Sequence, residues 1–278
     1  MNNIMDGKAL SLEIQDELKK TIKYEMIKPS VAVIQIGDDA ASNTYIRNKE
    51  KACNDVGIFF RHFKFEDGTP ELTVINKIKE LNNDEYVNGI IIQLPLPERY
   101  NEKRLVNQIL NSKDIDGLTD INVGRLLNGK KTLVPCTPLG VMELLEKYNV
   151  NVEGKHVVIV GKGKLTGKPL AHLLLNAGAT VTVCHSRTLD LASFTRQADI
   201  LISATGLNKI ITEDMVKKDA VVIDIGINYE DGHIAGDVDF ANVSKKASLI
   251  TPVPGGVGPM TIAMLLKNIV NCYYNKKK

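Results

Sequence analysis

Two hydrophobic periods alternate along this chain. Leu10, Ile14, Leu18 and Ile22 fall four apart within residues 8–24, so they share one helical face. Residues 31–36 then form a short apolar run closed by Gly37, the pattern of a buried strand. A helix is predicted over 43–55, with Ser42 as its N-cap and Gly57 as its stop. Residues 58–65 predict a second strand. Thr69 is the expected cap of a helix through Leu81, and residues 89–94 form a third strand, broken by Pro95 and Pro97. This is a βαβαβ unit. Its chemistry-bearing residues fall at strand ends and a helix start, where open α/β sheets bind ligands.

The alternation resumes after Pro135-Cys136-Thr137-Pro138. Thr137 is the expected cap of a helix that has Pro138 at its first position and runs to about Tyr148. Residues 157–160 predict a strand, and Gly161, Gly163 and Gly167 punctuate the turn after it. Pro169 fits the first turn of a helix through Asn176, and Gly178 can close that helix with a left-handed cap. Residues 179–184 are a second strand. The rest reads as helix 190–197, strand 199–203, helix 212–216, strand 220–225, a turn at Asp231-Gly232, a short strand at Leu249-Ile250 and an apolar helix from Met260 to Tyr274. The expected fold class is α/β. An N-terminal α/β substrate domain (1–117) precedes a Rossmann-like dinucleotide-binding domain (118–278).

The glycine turn after residue 160 opens a βαβ crossover, and N–H groups at the start of its helix make an anion site. Its glycines stand at first, third and seventh positions rather than first, third and sixth. A turn that only lets helix and strand pack closely is the alternative reading. His185-Ser186-Arg187-Thr188 follows the second strand. NAD sites carry an acidic residue there to hold the ribose hydroxyls. A hydroxyl and a guanidinium suit a 2′-phosphate instead, so NADP is the expected cofactor, helped by Lys162.

Composition narrows the partners. The 278 residues are 44% hydrophobic and 24% charged, with net charge +2. That balance argues against a general nucleic-acid binder. No apolar run reaches the roughly 18 residues a membrane helix needs, and the first residues lack a signal-peptide pattern, so a cytoplasmic location is expected. Four scattered cysteines make no C-x-x-C pair. The KDIDGLTD stretch at 113–120 fails as a calcium loop, because the twelfth position from Asp114 is Arg125. No metal site is expected.

Several stretches together point one way: Tyr45-Ile46-Arg47-Asn48-Lys49, Gln93-Leu94-Pro95-Leu96-Pro97, Lys113-Asp114-Ile115-Asp116-Gly117, Pro135-Cys136-Thr137-Pro138, Asp224-Ile225-Gly226-Ile227-Asn228, Gly236-Asp237-Val238-Asp239 and TPVPGGVGPMT at 251–261. In this order and spacing the chain resembles the bifunctional methylenetetrahydrofolate dehydrogenase/methenyltetrahydrofolate cyclohydrolase family over nearly its whole length. The resemblance implies oxidation of methylenetetrahydrofolate with NADP, hydrolysis of the methenyl product to formyltetrahydrofolate, an active-site cleft between the two domains, and a homodimer. It also implies that the C-terminal helix 260–278 packs back on the N-terminal domain.

The same resemblance assigns roles. Lys49 matches the catalytic lysine, whose amine can activate water or relay a proton. Tyr45, four residues earlier, matches the tyrosine that packs on the substrate, and Gln93 the glutamine that holds the lysine. Asp116 matches the aspartate on the pterin edge, where a carboxylate can take two charge-assisted bonds from an amidine-like N–H pair. Pro254 and Gly255 match the loop lining the folate site. Gly161, Lys162 and Gly163 match the phosphate turn, Ser186 and Arg187 the 2′-phosphate region, and Ile227 the nicotinamide end. The family turn usually has arginine and serine where this chain has Lys162 and Gly163, and valine where it has Thr166. Lysine lacks the bidentate fork of arginine, so NAD stays open beside NADP. Two alternatives remain: an NADP-dependent dehydrogenase of the shikimate-dehydrogenase kind, and a non-catalytic folate- or nucleotide-binding relative.

Overall fold

A computed structural model describes residues 3–230 and 232–276. The chain forms two compact units. One holds Glu13–Pro135 and the chain from Ile262 onward; the other holds Cys136–Thr261 and the N-terminal segment as far as Leu12.

The first of these is built on a three-stranded parallel sheet. Helix α1 (Gly7–Tyr24) is followed by β1 (Ser30–Ile36), α2 (Ala40–Val56), β2 (Phe59–Phe65), α3 (Glu71–Asn83) and β3 (Gly89–Ile92). The strand order is β2-β1-β3. Central β1 is buried at every position, whereas edge strand β2 alternates between exposed and half-buried, as edge and centre dictate. Ala32, Ile34, Val74, Ile78, Leu81, Ile90 and Ile92 make the core on one face. Two expected caps are corrected. Asp39, not Ser42, caps α2: its carboxylate accepts from Ser42 N at 2.7 Å, and Ser42 lies buried inside the helix. Pro70 stands at the N-cap of α3 without a side-chain cap bond, so Thr69 is one residue outside. Two further helices, α4 (Glu102–Val106) and α5 (Asp120–Leu127), are too short to leave a clear period in the sequence. Asn268 ties the C-terminal helix in, donating from Nδ2 to Ile115 O at 3.0 Å and Val134 O at 3.1 Å.

The other unit opens with α6 (Cys136–Lys147), β4 (His156–Val160), α7 (Gly167–Asn176), β5 (Thr180–Cys184), α8 (Leu191–Thr195), β6 (Ile200–Ser203) and β7 (Val221–Asp224). It continues with the hairpin β8 (Asn228–Glu230) and β9 (His233–Ala235), then α9 (Phe240–Val243) and β10 (Leu249–Ile250); the last helix, α10 (Val257–Lys276), begins in this unit and belongs to the first from Ile262 onward. The five-stranded sheet runs β10-β7-β6-β4-β5, all pairs parallel. Thr137 is not a cap: α6 already begins at Cys136, and Thr137 Oγ1 lies 3.0 Å from Thr261 Oγ1. Gly178 has φ +84°, as its expected role after α7 requires. The segment expected as helix 212–216 is a single 3-10 turn, Glu213–Met215. Asp231 of the expected turn and the last two residues of the 260–278 helix lie outside the described residues. All four cysteines are buried, and no helix among the described residues is long and apolar enough to cross a membrane.

Candidate active site and cofactor site

Lys49 and Gln93 meet directly. Lys49 Nζ donates to Gln93 Oε1 at 3.0 Å. Gln93 follows β3, and its backbone N–H still bonds Ile34 O of β1 at 2.8 Å. Its own amide donates to Leu94 O at 2.8 Å. The glutamine is thus fixed by sheet and side chain together, and it is buried. Lys49 is half-buried on α2, with Ile46 and Cys53 of the same helix facing the core. Tyr45 stands one turn before Lys49 and is 49% exposed, leaving an aromatic ring open to a planar ligand.

Asp116 comes from a different segment. An isolated parallel bridge pairs Ile90 of β3 with Asp114, so the chain there leaves the sheet in the same direction as β3. Asp116 therefore lies at the end of the sheet from which Gln93 emerges, and it is half-buried. Gly117 follows with φ +64°, and a Cβ there would sit 2.7 Å from Leu133 O, so only glycine fits. The two aspartates divide the work. Asp114 is buried and accepts from Thr119 N at 2.8 Å and Asn122 Nδ2 at 2.9 Å, which fixes the start of α5. Asp116, two residues on, is only half-buried.

Sequence reasoning missed the support of α2. Gln35, buried in β1, donates from Nε2 to Asn43 Oδ1 at 2.7 Å, and His62 Nε2 lies 3.0 Å from Gln35 Oε1. Asn43 Nδ2 donates to Asp38 Oδ1 at 2.9 Å. Burial holds the His62 imidazole below its ordinary pKa, against the pull of Glu50. The only signal in the sequence was a glutamine inside an apolar run.

The remaining site residues all lie in the other unit, past the carboxyl ends of its parallel strands. Gly161 leaves β4 with φ +121°, and a Cβ there would overlap Ala204 O. A Cβ on Gly167 would overlap Gly161 O, whereas Gly163 faces open space. Two glycines thus serve close backbone crossing, and the third is sterically optional. Thr166 precedes α7 without a side-chain cap bond, and Pro169 brings no N–H to its first turn. Exposed Lys162 stands at the same turn. Val160 of β4 pairs in register with Cys184 of β5, so the turn that carries Ser186 and Arg187 leaves the sheet beside the glycine turn. Thr188 N donates to His185 O at 2.8 Å and His185 N to Thr188 Oγ1 at 2.9 Å, closing that turn with Ser186 and Arg187 exposed. Ile227, past β7, is 48% exposed. Pro254 and Gly255 follow β10, and Lys8 N donates to Gly255 O at 2.8 Å.

The family model described as tetrahydrofolate dehydrogenase/cyclohydrolase, catalytic domain, matches residues 5–116, and that described as the NAD(P)-binding domain of the same family matches residues 135–277. The chain belongs to the tetrahydrofolate dehydrogenase/cyclohydrolase family. The bifunctional protein FolD of Nautilia profundicola is 50% identical over 279 residues, covering 99% of this chain and 98% of that one. A crystal structure of the FolD methylenetetrahydrofolate dehydrogenase/cyclohydrolase from Campylobacter jejuni superposes with a TM-score of 0.96 at 48% identity, covering 98% of this chain and 99% of that one. The Trypanosoma brucei dehydrogenase-cyclohydrolase, solved with NADP cofactor and inhibitor, gives 0.93 at 36% identity, covering 99% of this chain and 98% of that one. Membership of the tetrahydrofolate dehydrogenase/cyclohydrolase family sets aside the shikimate-dehydrogenase alternative. Tyr45, Lys49, Gln93 and Asp116 fall in the family's catalytic-domain match. The two turns, Ile227, Pro254 and Gly255 fall in its NAD(P)-binding match.

Proposed function

We propose that this chain oxidises methylenetetrahydrofolate to methenyltetrahydrofolate with NADP and then hydrolyses the product to formyltetrahydrofolate. The observation that carries the reading is the Lys49–Gln93 hydrogen bond in a chain that matches both family domains. Hydrolysis of a methenyl cation needs a group that moves protons to and from the attacking water. Lys49 supplies it, and Gln93 keeps the amine on one bearing. Tyr45 packs on the flat pterin, and Asp116 accepts from its amidine-like N–H pair. Pro254 and Gly255 line the folate site.

NADP, when bound, takes the hydride of the oxidation. The residues fit it: the turn of Gly161, Lys162 and Gly163 and the start of α7 would hold the pyrophosphate, and Ser186 and Arg187, exposed on the neighbouring turn, would hold the 2′-phosphate. Exposed Ile227 would meet the nicotinamide end. Residues 1–117 bind folate and 118–278 the cofactor, in a cytoplasmic homodimer that works on tetrahydrofolate derivatives rather than nucleic acid.

The test mixes methylenetetrahydrofolate with NADP or NAD and follows methenyl absorbance. A signal with NADP that then decays through hydrolysis is the expected result. No signal with either dinucleotide defeats the reading.

A further inference from the structure

Two carboxylates lie buried behind Ile227. Asp237 is fully buried and Asp224 is 3% exposed, and among the described residues neither forms an ion pair with a Lys or Arg. Asp237 Oδ2 accepts from Ser203 Oγ at 2.8 Å and from Thr205 N at 2.7 Å. Its Oδ1 accepts from Leu207 N at 3.0 Å and from Asn228 Nδ2 at 3.2 Å. One side chain thus gathers the end of β6, the loop after it and the segment after β7. Asp224 holds the other end of the same arrangement. Its Oδ1 accepts from Gly226 N and Asp237 N, each at 3.0 Å, and its Oδ2 from Val238 N at 2.9 Å. A Cβ on Gly226 would overlap the Asp237 carboxylate, and one on Gly236 would overlap that of Asp224.

Ile227 stands between the anchored residues. Gly226 before it is bound to Asp224, and Asn228 after it is bound to Asp237. The residues on both sides of this exposed apolar side chain are therefore tied to buried acids. Burying carboxylates without a cation is costly, and closing two loops alone does not require it, because neutral acceptors would serve.

We propose that Asp237 is a positioning residue of the dehydrogenase: it fixes the loop at 204–207 and the segment at 226–228 as one surface, on which Ile227 meets the nicotinamide. The proposal rests on the function given above. Asp237→Asn keeps the shape but turns one acceptor into a donor, so the backbone N–H of Thr205 or of Leu207 loses its partner. The expected result is a rise of about tenfold or more in the KM for NADP, with a fall in dehydrogenase kcat. Hydrolysis of methenyltetrahydrofolate, measured without NADP, should fall less than about threefold, because Lys49 and Gln93 are untouched. An NADP KM and kcat within twofold of the parent overturn the proposal. So does a parallel loss of hydrolysis and of thermal stability, which would make Asp237 a residue of the fold alone. Should that variant not fold, Asn228→Ala decides: it removes one tie from the half-buried segment. An unchanged NADP KM there overturns the proposal, and a rise of about threefold or more supports it. A parent protein that reduces neither NADP nor NAD would instead defeat the functional reading.

Discussion

Gly161 and Gly167 are held by the backbone, and Gly163 is not. Gly161→Ala should lower stability by about 2 kcal/mol or more, because the methyl meets Ala204 O and the φ of +121° resists any L side chain. Gly163→Ser should leave Tm within about two degrees, since its Cβ meets nothing, and should tighten NADP by adding a hydroxyl to the phosphate turn. Calorimetry and titration with NADP separate the two. Ser186→Asp should move preference from NADP toward NAD by repelling the 2′-phosphate; an unchanged ratio of kcat/KM values would take Ser186 out of that contact. Lys49→Met should abolish methenyl hydrolysis while NADP still binds, and retained hydrolysis would end the lysine's assigned role. At this scale the sequence was most legible where a motif carried the residue. The Lys49–Gln93 partnership was expected and is present. The work of Asp237 was not, because its bonds to Thr205 and Leu207 end on backbone N–H groups, which leave no mark on residue type.

Helices and strands were legible when long or buried on both faces. β1 reads as an apolar run because it is the central strand of its sheet, and β4 because it is an interior strand, between β6 and β5. Helix starts were less legible. Serine and threonine are good N-caps, yet three of them near helix starts here do something else, and Asp39 caps α2. The choice depends on which φ and ψ precede the helix, and a single residue type does not encode that. Asp39→Ala should lower Tm by about two to four degrees. Its carboxyl is held below the ordinary range by the Ser42 backbone N–H, so its contribution is present at neutral pH and fades as pH falls through that lowered value. Melting curves of both proteins should therefore converge in acid. A constant gap would show that the carboxylate charge is not what caps the helix.

For the whole molecule, pH also reaches stability through buried Asp224. Burial pushes its carboxyl from 3.8 up to about 6, despite its backbone donors, and Asp237 adds to the rise. Between those two values the folded chain holds a proton that the unfolded chain has released. Stability contributed at this site therefore falls as pH rises through that window, by roughly 2–3 kcal/mol. Asp224→Asn should flatten the stability curve between pH 4 and 6, whatever it does to the absolute value; an unchanged slope would mean that another group titrates there. The burial of every cysteine reaches further. Cys53 and Cys272 are pushed up to about 12 by burial, so almost no thiolate is present near neutral pH. A maleimide added to the folded protein should find nothing to alkylate quickly. A single cysteine placed at Leu189, which is 87% exposed and two residues past Arg187, would then accept a fluorophore without background. The arrival of a phosphorylated dinucleotide could be followed as a change in light emission.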